Sequence, residues 1–207
     1  MAHPKALIVG GGSKFGEAFS ELISSDYEVH VITGSDSDAE KVIKVEWHSC
    51  TLDDILPHID QDYDLILFNQ NGAGGPNEGA FDDFIHPIEH WNQANFTDVQ
   101  LPYYILRHIN PKTSMKVCWM LTPSACDIRL RMFTPQWGGY CSAKASNFHL
   151  MYTFANRCEG NYYGLIPTHF GEGGIDLFSL MMYNVIRSLE PEQSGKLINE
   201  HGETFGD

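Results

Sequence analysis

Basic side chains are scarce. Lysine and arginine together number 13 against 27 aspartates and glutamates, a formal net charge of −14 at pH 7. A chain this acidic has no broad positive surface for neutralising phosphates, so neither a nucleic acid nor an anionic membrane surface is an expected partner. Pockets are less constrained than surfaces, because a few basic residues around a cavity suffice for one phosphorylated small molecule. Cysteine is sparse and unpatterned as well. Cys50, Cys118, Cys126, Cys141 and Cys158 are odd in number and lack CxxC or Cys/His ligand spacing, which argues against a disulfide framework or a zinc site and fits a reducing compartment. No apolar run approaches the roughly 20 residues of a membrane helix. Met1 to Lys5 lead directly into a strand-like segment and not into the apolar core of a signal peptide, so a cytoplasmic protein is expected. There is no internal repeat and no low-complexity tract.

What the sequence does contain is alternation. Ala6 to Val9, Val29 to Ile32, Asp64 to Phe68, Val117 to Leu121 and Asn161 to Ile166 are short apolar runs of strand type. Each is followed by a turn and a longer amphipathic stretch. Thr51 with Asp54 has the form of a helix start, Leu101 to Ile109 is periodic, and Tyr140 to Arg157 reads as a long helix without internal Gly or Pro. The pattern predicts an α/β protein with a Rossmann-like doubly wound parallel sheet, covered on both faces in three α/β/α layers. Its 207 residues, 43% of them hydrophobic, suit a single domain spanning 1–207 that buries roughly 70% of its unfolded surface. Residues 72–79 and 124–139 read as loops, and 200–207 as a final surface segment.

The first strand runs into Gly10-Gly11-Gly12-Ser13-Lys14-Phe15-Gly16, and a helix follows. Glycines at such a strand-to-helix turn let the backbone approach a pyrophosphate, while the amides and dipole of the helix attract its charge. A dinucleotide site is therefore expected here. At the end of the second strand an NAD-type site carries an acidic residue for the ribose 2′-hydroxyl. Here stand Thr33, Gly34 and Ser35, with Asp36 arriving late. Two hydroxyls and Lys14 suit a 2′-phosphate, so NADP(H) is preferred over NAD(H), with Asp36 curling back to the ribose as the competing arrangement.

Tyr140 and Lys144 stand four residues apart, hence on one helical face. A nearby ammonium favours phenolate over phenol and moves a group of reference pKa about 10 towards the working range of an acid/base catalyst.

With these segments in order, the chain resembles the short-chain dehydrogenase/reductase family from residue 5 to about 202. The family's GxxxGxG is matched by Gly10 to Gly16, with Lys14 at the second glycine. Its Asn-Asn-Ala-Gly after the fourth strand is matched by Asn69-Gln70-Asn71-Gly72, its YxxxK by Tyr140 to Lys144, and its Pro-Gly after the sixth strand by Pro167-Thr168. The family's serine after the fifth strand falls on Thr122 by strand register or on Ser124 by residue type and spacing. The asparagine of its fourth helix falls on Asp98.

The resemblance implies a hydride-transferring oxidoreductase for a small carbonyl or hydroxyl compound. Tyr140 would be the proton donor or acceptor. Lys144 would act on Tyr140 and on the nicotinamide ribose, Thr122 or Ser124 on the substrate oxygen, and Asp98 in a proton relay. The cofactor would lie along Gly10 to Gly16, Thr33 to Ser35 and Asn69 to Asn71, then Tyr140, Lys144, Pro167 and Phe170. A homodimer or homotetramer is implied too. The alternative is a dinucleotide-binding sensor or scaffold that keeps the fold without efficient chemistry. His86 and His90, at a helical metal-ligand spacing interrupted by Pro87, are not expected to hold a metal.

Overall fold

The computed structural model describes residues 3–70, 92–122, 138–167 and 173–205, with backbone alone for 138–141. Seven strands form one parallel sheet: β1 (Lys5–Val9), β2 (Glu28–Thr33), β3 (Lys41–Lys44), β4 (Leu65–Phe68), β5 (Lys116–Met120), β6 (Asn161–Leu165) and β7 (Leu197–Ile198). Their order is β3-β2-β1-β4-β5-β6-β7. The helices are α1 (Lys14–Ile23), the short α2 (Leu52–Ile55), α3 (Leu101–His108), α4 (Gly138–Arg157) and α5 (Ile175–Ser188).

The apolar strand runs make this arrangement because successive side chains leave a sheet on opposite faces. On β1, Ala6 and Ile8 enter one apolar layer and Leu7 and Val9 the other; on β5, Cys118 and Met120 part from Val117 and Trp119 in the same way. One layer is closed by α1 and α5, through Phe15, Phe19 and Ile23 and through Phe178, Met182 and Ile186. The opposite layer is closed by α2, α3 and α4, through Ile55, Leu101, Ile105, Met151 and Phe154. The four-residue spacing of Phe15, Phe19 and Ile23 puts all three on one side of α1, and each such side chain contributes about 1.5–3 kcal/mol on burial. That helix ends where the Ser24 amide and hydroxyl both turn back to the Glu21 carbonyl.

All five expected strands are present, as β1, β2, β4, β5 and β6, and a further short strand, β7, closes the sheet at Leu197–Ile198. The strand β3 was not expected. It is an edge strand of four residues, lysine at both ends, with only Ile43 buried, so it carries almost no strand signal; lysines also protect such an edge from further pairing. The C-terminal segment also departs from expectation. Glu200 is 3% exposed, Thr204 bridges antiparallel to Ile198, and Phe205 packs against the apolar layer, so the described part of the tail folds back onto β7. The expected loop at 72–79 and all of the expected loop 124–139 up to residue 137 lie outside the described residues, as do His86 and His90, while 138 and 139 belong to the helix α4 and not to a loop.

Asp60 ties the sheet together at the start of its strands. Its carboxylate accepts from Lys41 Nζ of β3 and Lys5 Nζ of β1, each at 2.6 Å. Those two ammonium hydrogen bonds, Lys41 first, outweigh partial burial and hold the Asp60 carboxyl down at about 2. Because the folded value lies below the unfolded one, its stabilisation is complete above about pH 4 and is lost as pH falls towards about 2. Asp60→Asn is expected to cost about 1–2 kcal/mol at neutral pH. Urea unfolding across pH checks this: the gap to the unsubstituted protein should close between about pH 4 and pH 2.

Candidate active site

The sheet reverses its order between β1 and β4, and the crevice beyond their carboxyl ends is where an open α/β sheet places ligands. The glycine turn sits there. Gly10 has φ +84°, and a Cβ on it would meet the Gln70 Cα and N at 2.8 Å. One on Gly16 would lie 2.6 Å from the Gly10 carbonyl oxygen. The first glycine thus allows β1 to end against β4, and the last lets α1 pack onto the turn. Ser13 caps α1, its Oγ accepting from the Gly16 amide at 3.0 Å and from Asn69 Nδ2 at 2.8 Å. Gly10 and Gly11 donate to the Ile32 carbonyl of β2. The turn is therefore pinned to both flanking strands, with Lys14 at the family's second glycine forming the first residue of the helix.

Beside it lies a cavity of about 550 Å³. Among the expected residues, Gly10, Gly12, Ser13, Thr33, Gly34, Ser35, Asn69 and Gln70 line it. Trp47, His48, Gln93 and Thr97 line it too and were not anticipated. Trp47 and His48 follow the unexpected β3, and Gln93 donates to Thr97 Oγ1 at 2.8 Å within one helical stretch. The Gln70 side chain is buried with neither amide atom hydrogen-bonded. An orphaned buried amide costs about 1–3 kcal/mol until a partner arrives.

Other expected residues fall differently. Phe15 is buried in the apolar layer with its ring 5.2 Å from that of Phe178, so its side chain faces away from the turn and leaves only backbone for a ligand. Lys14 lines a separate cleft of about 920 Å³ together with Glu17, Glu21, Asp36, Asp38 and Glu40. Asp36 does not curl towards Thr33; it is paired with Lys44 Nζ at 2.6 Å, and that hydrogen bond lowers its pKa. Thr33 Oγ1 instead meets the Ser35 hydroxyl and amide, both at 3.1 Å.

Lys144 reaches the chain just beyond β4 from α4. Its Nζ donates to the Gln70 carbonyl at 2.6 Å and to Asp98 Oδ1 at 3.2 Å. Both side chains are withdrawn from solvent, with 4% exposure for Lys144 and 0% for Asp98. Asp98 arrives on a π-turn, Asn95–Gln100, closed by the Leu101 amide reaching the Phe96 carbonyl. Pro102 explains it. Its missing N–H removes the donor that the Asp98 carbonyl would have in an α-helix, and its ring crowds that carbonyl, so the chain widens there.

Thr122 is half-buried just beyond β5, and Pro167 is half-buried just beyond β6. Tyr140 occupies the first turn of α4, one turn before Lys144. Asn71, Ser124, Thr168, His169 and Phe170 lie outside the described residues.

A seven-stranded parallel sheet in this order, with a glycine turn at its reversal, is the fold of the short-chain dehydrogenases/reductases. No family model and no curated protein matches the sequence. Solved structures match in fold. Carbonyl reductase Sniffer of D. melanogaster is 11% identical with a TM-score of 0.73, over 98% of this chain and 99% of that one. The NADPH-bound carbonyl reductase from chicken fatty liver is 12% identical with a TM-score of 0.71, over 99% of each chain. An oxidoreductase of the same family from Brucella ovis, in complex with a partially ordered NAD, is 15% identical with a TM-score of 0.67, over 95% of this chain and 99% of that one. At such identities the likeness is one of fold.

The Gly10 turn makes a direct prediction. Gly10→Ala adds a left-handed backbone penalty to a clash with Gln70, and urea unfolding is expected to show a loss of about 2 kcal/mol or more.

Proposed function

We propose that the chain is an NAD(P)(H)-dependent oxidoreductase of the short-chain dehydrogenase/reductase family, acting on a small carbonyl or hydroxyl compound. One observation carries this reading: a glycine turn and a cavity at the sheet's reversal point, with the buried Lys144 ammonium held on the carbonyl of Gln70, one of the residues that line it. The residues fit the adenosine and pyrophosphate of a dinucleotide. Gly10 and Gly16 allow backbone approach, the start of α1 offers amides to phosphate, and the unpartnered Gln70 amide suits the polar edge of a ligand. When bound, the dinucleotide supplies or takes up hydride.

The protein's own part is acid/base and positional. Tyr140 gives a proton to the substrate oxygen in reduction or takes one in oxidation, and Thr122 or Ser124 donates a hydrogen bond to that oxygen. Lys144 orients the nicotinamide ribose. The preference is for NADP(H): among the described residues no carboxylate lines the cavity, Asp36 is engaged by Lys44, and the Thr33 and Ser35 hydroxyls suit a 2′-phosphate, towards which Lys14 would have to turn from its separate cleft. A homodimer or homotetramer would use α3 and α4, where Tyr103, Tyr104 and Tyr152 are exposed.

Binding without turnover is the second reading. It is favoured by the engagement of Lys144 with Asp98 and Gln70, which competes with its duty to a ribose.

Dinucleotide binding followed by fluorescence, and absorbance changes across a panel of aldehydes, ketones and alcohols, separate the two readings. The enzyme reading predicts turnover that falls ~100-fold or more in Tyr140→Phe while NADPH affinity is little changed. Undiminished turnover in that variant removes Tyr140 from its role, and no dinucleotide binding sinks both readings. Lys14→Ala is expected to weaken NADPH more than NADH; equal effects defeat the 2′-phosphate assignment.

A further inference from the structure

A 2′-phosphate calls for a cation, and basic side chains are scarce in this protein. Among the described residues that line the cavity beside the glycine turn, one alone is ionisable at ordinary pH, His48. Two lysines of the surrounding elements are placed elsewhere. Lys14 lines the separate cleft, which it shares with five carboxylate residues, and Lys44 is paired with Asp36 at 2.6 Å.

The segment that carries His48 is held beside the end of β2. The Val45 amide donates to the Thr33 carbonyl at 2.9 Å, which extends the β2–β3 pairing by one residue. A turn follows, closed by the Ser49 and Cys50 amides, which donate to the Glu46 carbonyl at 2.9 and 2.8 Å, with Trp47 and His48 inside it. Trp47 fixes the turn sideways: a Cβ on Gly34 would meet its Cδ1 at 3.0 Å and its Nε1 at 3.1 Å. Gly34 stands between Thr33 and Ser35, whose hydroxyls close on the glycine turn. A Cβ on Gly12 would fall 1.9 Å from Ser35 Oγ and 2.2 Å from Thr33 Oγ1. Two hydroxyl residues of the β2 end and a histidine of the turn after β3 therefore border one cavity.

We propose that His48 is the residue that selects NADPH over NADH, its imidazolium holding the 2′-phosphate together with the Thr33 and Ser35 hydroxyls. This rests on the dinucleotide reading above and adds to it a cation that already lines the cavity. A histidine changes charge between about pH 5 and 8, so the selectivity is itself a function of pH. Protonated His48 attracts the phosphate, and affinity for NADPH falls as that proton leaves. The second ionisation of a phosphate, at about pH 6, adds negative charge as pH rises and so acts in the opposite sense. The charged groups flanking the turn are Lys44 and Glu46 before it, Asp36 on Lys44, and Asp53 and Asp54 on α2. The glycine turn, the β4 end and the helical stretch opposite present Ser13, Asn69, Gln70, Gln93 and Thr97 to the cavity, all uncharged.

Equilibrium binding of NADPH and of NADH to the whole protein, measured by calorimetry from about pH 6.5 to about pH 8.5, is the test. In the unsubstituted protein NADPH affinity is expected to fall about five- to tenfold across that range, while NADH affinity stays level. His48→Gln is expected to lower NADPH affinity by a similar factor at the acid end, to leave NADH unchanged and to abolish the fall with pH. His48→Lys keeps a cation throughout and should hold the acid-end NADPH affinity to the alkaline end. His48 is exposed, so neither substitution disturbs an apolar layer, and far-ultraviolet circular dichroism verifies the fold. Equal losses for the two dinucleotides in His48→Gln overturn the proposal, as does an unchanged NADPH affinity. A fall with pH that persists in His48→Lys overturns it too. When both dinucleotides bind and His48→Gln does not separate them, this proposal fails alone; when neither binds at any pH, the oxidoreductase reading fails with it.

Discussion

Lys144 carries a positive charge into a region that water does not reach, and a charge in such a place persists only with partners that replace its hydration. Two of them come from different parts of the chain. Gln70 offers the carbonyl at the end of β4, and Asp98 offers a carboxylate from a π-turn on the helix packed beside α4. The ammonium therefore fixes the distance between a central strand and two helices of the same layer. Loosening any of the three would leave a buried charge or a buried carbonyl to be resolvated.

Gln70 sits at a crossing of constraints. Its backbone is what Gly10 must avoid, its carbonyl holds Lys144, and its side-chain amide is buried without a partner. The asymmetry of charge fits this economy. Against a surplus of acidic residues, the protein buries one cation among its described residues, Lys144, and places others, Lys5 and Lys41, on a single carboxylate at the far end of the sheet.

The layered fold was legible in the sequence because strand burial on two faces produces continuous apolar runs, and five of the seven strands show them plainly. β3 was not legible, since an edge strand of four residues with one buried side chain leaves no pattern, and with it went Trp47 and His48, whose place at the cavity depends on that strand. The glycine turn could be read in outline, because its spacing reflects close contacts that hold in three dimensions. The orientation of individual side chains could not: Phe15 is one residue from Lys14 in a motif-like string, yet packing sends its ring to the core. The Lys144–Asp98 contact joins residues far apart in sequence, and nothing in the local pattern of either announces the other. Pro102 was visible throughout, but its effect on the preceding turn is a matter of hydrogen-bond registry that composition does not reveal.

That registry makes chain length a variable of the site. A π-turn holds one residue more than the regular helix it replaces, so the side chains before and after it are offset by about 100° around the axis. Gln93 before the turn and Thr97 within it line the cavity, while Leu101 and Ile105 beyond it close the apolar layer. The helix can serve both surfaces because it carries a surplus residue between them. Removing Val99 or Gln100 would leave every named side chain of the site in the sequence and still turn Asp98 relative to the apolar face of α3.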